Sequence, residues 1–260
     1  MSGKVDKITN EYAKRVSEVN NVEAVVFGET AKIETYDPSF IIDLDVYYEG
    51  ELMSPSERCN LLGNPDIFES SPVYPVDRFL IDQLPVIINY RELSTIDIIF
   101  RRIEKAEWAL RTENTNILYR LKEGIVLYNK SGWIDGIKNR FSNIPEEFWQ
   151  NMLDSCRFLI EHYLREINVS AYKNNSLLYQ KTFFHFLQSI LGYICTVNKK
   201  FEPSPRVFYN FIKTLKKIPD EFLSRFDVLI NPNPDEEFPL DRKGEIATLL
   251  AKSLIQMRLE

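Results

Sequence analysis

Near residue 104 the hydrophobic pattern of this chain changes period, and that change limits the fold more than any other feature. Before it, apolar residues gather in short β-branched runs: VEAVVFG at 22–28, FIIDLDVYY at 40–48, PVIINY at 85–90 and STIDIIF at 94–100. Such runs read as strands, the last two as antiparallel neighbours across Arg91-Glu92-Leu93. After it, apolar residues recur at steps of three and four over long stretches, the mark of packed helices. The expected fold class is α+β. A mixed sheet with flanking helices fills residues 1–104, and an all-α helical bundle fills 105–260.

Within the first part, Val5, Ile8, Tyr12, Val16 and Val19 mark one face of a helix. Ser54-Pro55-Ser56-Glu57 has the form of a capping box with proline at the first helical position. Residues 63–76 read as an irregular loop, and VDRFLIDQL as a helical turn or two. In the second part a helix is expected over 104–122, then a short strand and turn in IVLYNKSG. Another helix starts near Pro145 and carries Trp149, Met152, Cys156, Leu159, Tyr163 and Ile167. LLYQKTFFHFLQSILGYICTV is apolar almost all round and is expected at the centre of the bundle. A further helix starts at Ser204-Pro205. The last runs from Leu240, with Ile246, Leu249, Leu250, Leu254 and Met257 inward.

Charge narrows the function. Residues 1–104 carry 10 Lys+Arg against 19 Asp+Glu, and residues 105–260 carry 22 against 19. An acidic first part argues against a groove that tracks a long nucleic acid, and suits a site that concentrates divalent metal. The mildly basic second part suits an anion such as a nucleoside triphosphate. The polar opening residues predict no signal peptide, and no apolar run is long enough to span a membrane, so a cytoplasmic location is expected. Cys59, Cys156 and Cys195 form no CxxC pair, so neither a zinc site nor a disulfide framework is expected.

The chemistry concentrates in Asp43-Leu44-Asp45. In a strand both carboxylates point to one face while Leu44 and Val46 point to the other. Two carboxylates side by side repel unless a cation sits between them. Oxygen-only ligands suit Mg²⁺, which takes one or two carboxylates and completes its shell with phosphates and water. Asp97, set in the apolar run STIDIIF, needs a partner if buried. If that run pairs beside DLDVYY, Asp97 completes a cluster of three carboxylates.

Phe27-Gly28-Glu29, followed after thirteen residues by Asp43-Leu44-Asp45-Val46, resembles the signature of polymerase-β-like nucleotidyltransferases. There a hydrophobic residue and Gly-(Gly/Ser) precede Asp-hydrophobic-(Asp/Glu)-hydrophobic, and a third aspartate follows on a later strand. Within that superfamily the chain looks most like bacterial aminoglycoside and lincosamide nucleotidyltransferases with a C-terminal helical domain. The resemblance is carried by residues 20–100, with weaker echoes in YRLKEGIVLYNKSG and VNKKFEPSPRVFYNFIKTL.

That resemblance implies a nucleotidyltransferase fold over 1–104, and a helical domain that walls the substrate cleft. It implies two Mg²⁺ ions held by Asp43, Asp45 and Asp97, ~3.5–4 Å apart, with Asp97 as base. Gly28 would bring backbone N–H groups to the triphosphate, and Arg206 or Lys213 would reach its phosphates. The reaction implied is transfer of a nucleoside monophosphate, AMP from ATP, to a hydroxyl of a small molecule, with loss of pyrophosphate. Glu29 departs from the signature, because a carboxylate repels phosphate where serine would donate to it. Thr30 or Lys32 takes over as donor, or the donor site is weak or lost. Two other readings stay open: a nucleotide-binding regulatory protein without transferase activity, and transfer to a protein or tRNA.

Overall fold

The computed structural model describes residues 3–28, 40–71, 73–107, 115–231 and 239–259. It is α+β, a mixed six-stranded sheet accompanied by many helices. The chain divides into two compact units. The first takes residues 1–105, 115–144 and 203–210, and the second takes 106–114, 145–202 and 211–260.

The first unit runs α1 (Gly3–Ser17), β1 (Val22–Phe27), β2 (Ile42–Tyr48), α2 (Pro55–Leu61), β3 (Phe68–Ser70), β4 (Val76–Ile81) and β5 (Leu84–Glu92). It continues through α3 (Leu93–Glu104), α4 (Asn116–Glu123), β6 (Ile125–Asn129) and α5 (Trp133–Ser142). The sheet order is β3-β4-β5-β2-β1-β6. Strands β2 and β5 run parallel, and the other pairs are antiparallel.

Alternation along the strands divides the two faces of the sheet. Val25 and Phe27, Ile42, Leu44 and Val46, and Val86 and Ile88 pack into one core with Val5, Ile8, Tyr12 and Val16 of α1. Asp43, Asp45 and Tyr47 therefore share the opposite face with Ile87, Asn89 and Arg91, which are their register partners on β5. The capping box at Ser54 forms as expected, with the Glu57 side chain accepting from the Ser54 N–H at 2.8 Å. Helix α2 then delivers Arg58 into the interior. Arg58 donates to both carboxylate oxygens of Asp77, to the Ser70 hydroxyl and to the Met53 carbonyl. This buried pair ties α2 to β4.

Three expected elements differ. VDRFLI is strand β4, not a helical turn. It forms a hairpin with β5, and the link Asp82-Gln83 holds positive φ at both residues, 50° and 68°. Its period-2 burial, with Asp77 and Phe79 inside, marks a strand. The run STIDIIF is helix α3, not a strand. Ile96, Phe100 and Ile103 are its buried residues, spaced four and three apart, so the helical period outweighs β-branched composition. The helix expected over 104–122 is likewise two elements. Helix α3 ends at Glu104, Ala106 turns the chain with φ 52°, and α4 begins at Asn116.

The second unit holds α6 (Glu146–Tyr172), α7 (Ser176–Val197), α9 (Phe222–Ile230) and α10 (Leu240–Ile255). Helix α8 (Pro205–Ile212) starts in the segment assigned to the first unit. Asn175 caps α7 by accepting from the Leu178 N–H at 3.0 Å, which closes the turn from α6. Gly192 lets the two helices approach, because a Cβ there would lie 3.2 Å from Cys156 Sγ. Helix α7 is less enclosed than its composition suggests: Leu177 and Phe184 are exposed, as is Leu249 on α10. Among the described residues no helix is long and apolar enough to cross a membrane. The three cysteines are free thiols.

Candidate functional site

Strand β2 is buried along its whole length, so Asp43 and Asp45 sit against the sheet rather than on its rim. Asp45 is wholly inaccessible and Asp43 nearly so. Buried carboxylates need a counter-charge, and here it comes from the protein. Helix α4 buries Leu118, Tyr119 and Leu121 together with Arg120. The Arg120 guanidinium lies across both acids. Its Nε donates to Asp45 Oδ2 at 2.6 Å and one terminal nitrogen to Asp43 Oδ1 at 2.8 Å, while the other pairs with Asp43 Oδ2. Burial pulls the Arg120 pKa down, but the charges of Asp45 and Asp43 and their hydrogen bonds more than offset it, so the guanidinium stays charged.

Strand β5 completes the set. Asn89 Nδ2 donates to Asp43 Oδ1 at 2.8 Å, and Arg91 Nε donates to Asp45 Oδ1 at 2.7 Å. Every carboxylate oxygen of the pair thus accepts from a guanidinium or an amide. A divalent cation needs those same oxygens at ~2.0–2.1 Å, so the donor set as arranged does not fit Mg²⁺. It fits a guanidinium.

Two glycines shape the space around Arg120. The Gly28 N–H donates to the Asp43 carbonyl at 2.8 Å, and a Cβ at 28 would stand 2.7 Å from an Arg120 terminal nitrogen. With that guanidinium pinned by two acids, only glycine fits. Gly124 ends α4, and a Cβ there would meet Val26 Cγ1 at 2.4 Å and the Arg120 carbonyl at 2.6 Å. It lets α4 turn straight into β6 and so sets where Arg120 enters. Tyr47, next along the acidic face, packs in a tilted arrangement against Trp133 of α5, with ring centroids 5.1 Å apart. Its buried hydroxyl has no partner among the described residues. Burial, and then the charge of Asp45, push its pKa well up.

No protein-family model and no curated protein matches the chain. Solved structures do. One is a nucleotidyltransferase-like protein from Exiguobacterium sibiricum 255-15, with a TM-score of 0.47 and 13% identity over 96% of this chain and 74% of that one. A CCA-adding enzyme in complex with ATP aligns with a TM-score of 0.36 and 11% identity over 99% and 68%. An aminoglycoside 6-adenyltransferase from Bacillus subtilis aligns with a TM-score of 0.31 and 8% identity over 98% and 90%. All are distant, and the chemistry of the site rests on this chain's own side chains.

The structure brings Asp43, Asp45 and Gly28 together and leaves Asp97 elsewhere. Asp97 lies on α3 and pairs with Arg140 NH1 at 2.6 Å, while Arg140 Nε pairs with Glu104 at 2.8 Å. The expected strand that was to carry it to the pair does not exist. Among the described residues no three acids, histidines or cysteines are grouped to hold a metal ion. Glu29, Thr30 and Lys32 lie outside the described residues. Arg206 stands exposed on α8, and Lys213 lies just beyond that helix in the second unit.

Sequence reasoning missed Arg120, Asn89 and Arg91. A signal for the β5 pair was present, since Ile87, Asn89 and Arg91 form the period-2 set that faces Asp43 and Asp45. For Arg120 the signal is weaker: an arginine set between Leu118, Tyr119 and Leu121 on the apolar stripe of a short helix.

Proposed function

We propose that this chain is a nucleotide-binding protein of the nucleotidyltransferase type whose acidic pair holds an arginine in place of metal ions, and which is catalytically silent in that state. The observation that carries the reading is the Arg120 guanidinium spanning Asp43 and Asp45, with all four of their oxygens engaged. Arg120 and Arg91 together balance the charge of the two carboxylates as one divalent cation would, but a guanidinium does not coordinate and polarise the reacting oxygens as a metal ion does. Asn89, the register partner of Asp45, offers an amide at a place on that face where a third acid would share a metal.

Mg²⁺-dependent transfer of AMP from ATP to a small-molecule hydroxyl is the second reading. Asp43 and Asp45 on one strand face, with the Gly28 turn bonded to Asp43, favour it. It requires Arg120 to leave the pair. Pyrophosphate release from ATP, measured with Mg²⁺ and a panel of hydroxylated acceptors, separates the two. The expected result is none from the wild-type protein, with ATP still bound. Turnover that Asp43→Asn abolishes would establish the second reading instead.

A further inference from the structure

The same site changes polarity from its floor to its rim. Asp45 is the floor: it has no exposed surface and accepts from two guanidinium groups. Arg91 is at the rim, and its side chain keeps 24% of its surface exposed. Its Nε donates to Asp45. Both terminal nitrogens have no partner among the described residues, and neither is a buried orphan. A buried carboxylate thus fixes the inner edge of a planar guanidinium and leaves its outer edge facing solvent. That edge carries parallel N–H donors at the spacing of two phosphate oxygens. Beside Arg91 on the same strand face, Asn89 spends its amide on Asp43 and the Leu44 carbonyl, so what β5 offers an incoming anion is the outer edge of the Arg91 guanidinium.

We infer that Arg91 is the phosphate-binding group of this site, and that it takes the phosphate chain of a nucleoside triphosphate directly, without a divalent cation. The inference rests on the reading that the site takes nucleotide, and it adds which residue holds the phosphates and what they do not need. Asp45 acts as the positioning residue that orients the fork. Arg120, with its fork turned inward on two acids, and Arg91 together balance the two negative charges, so that no net negative charge faces the phosphates.

Calorimetric titration tests this on the full chain, with ATP and separately with inorganic tripolyphosphate, each in excess Mg²⁺ and in excess chelator. Both ligands are expected to bind in chelator, with ATP affinity within about threefold of that in Mg²⁺. Arg91→Gln is expected to weaken both by tenfold or more while still unfolding cooperatively. Arg91→Lys, which keeps the charge and loses the fork, is expected to fall between. Binding in chelator that Arg91→Gln and Arg91→Lys leave unchanged overturns the assignment of Arg91 and spares the nucleotide-binding reading. Binding only with Mg²⁺ overturns the metal-free inference. No binding of ATP under either condition overturns the nucleotide-binding reading itself.

Discussion

Arg120 decides the character of the site, because three of its nitrogens are committed to two buried acids. Removing it leaves Asp43 against Asp45 with only Asn89 and Arg91 to offset them. Arg120→Met is expected to destabilise the protein by about 3–5 kcal/mol, the usual cost of stranding a buried charge. Adding Asp43→Asn and Asp45→Asn to that variant is expected to recover a large part of the loss, because the strand then buries amides rather than charges. Urea denaturation of the single and triple variants measures both. Tyr47 behaves oppositely. Its buried hydroxyl has no partner among the described residues, so Tyr47→Phe is expected to leave stability unchanged or raise it by up to about 1 kcal/mol. A loss of more than that in the same assay would mean the hydroxyl is bonded. At this scale the sequence was half legible. Asp43 and Asp45 announce themselves because two acids in a strand are unusual. Arg120 does not, because arginine on a helix is ordinarily a solvated residue, and only its tertiary partners reveal otherwise.

Elements were legible where local period and tertiary environment agree. Strand β1 is β-branched and buried except at Glu23, β2 is buried along its whole length, and α1 has an unbroken stripe, so each lies where its pattern puts it. The run Leu93–Glu104 misleads because isoleucine favours strands locally, while Ile96, Phe100 and Ile103 gain more by packing as one helical face. The hairpin of β4 and β5 was hidden because Asp82-Gln83 lacks the glycine that usually marks such a turn. That absence is also testable. Gln83 holds φ 68° with a side chain, and the left-handed region costs a non-glycine residue about 1–2 kcal/mol. Gln83→Gly is expected to raise stability by about 1 kcal/mol, read as a shift in the denaturation midpoint at unchanged slope. At the other end of the sheet, Gly124→Ala is expected to cost about 1–3 kcal/mol through overpacking against Val26 and the Arg120 carbonyl. It should also loosen Arg120, since α4 must shift to admit the methyl group.

Across the whole molecule, buried phenols set an alkaline limit on stability. Burial pushes the Tyr179 hydroxyl from its ordinary 10.0 up to about 12, and burial likewise raises Tyr47, Tyr90 and Tyr193. A pKa raised on folding means that the native state favours the neutral phenol. That contribution is complete below the unfolded value near 10.0 and is lost as pH climbs through the folded values. Melting temperature is expected to fall steeply above pH 10, and Tyr179→Phe is expected to soften the fall. In the second unit, burial, then Glu202 and Cys156, raise the Cys195 thiol, so it is expected to react with thiol reagents only on unfolding. That helices dominate the chain after residue 104 could be read from the change of period. The return of residues 115–144 to the first unit could not, because it depends on β6 pairing with β1 and on Arg120 reaching the acids of β2.

The central claim is that a guanidinium takes the place of metal between Asp43 and Asp45, and titration with Mn²⁺ followed by electron paramagnetic resonance tests it directly. The wild-type protein is expected to leave the signal of free Mn²⁺ at full intensity at millimolar ion, while Arg120→Gln takes up Mn²⁺ through the exposed pair. Saturable uptake by the wild-type protein, abolished by Asp43→Asn, would contradict it.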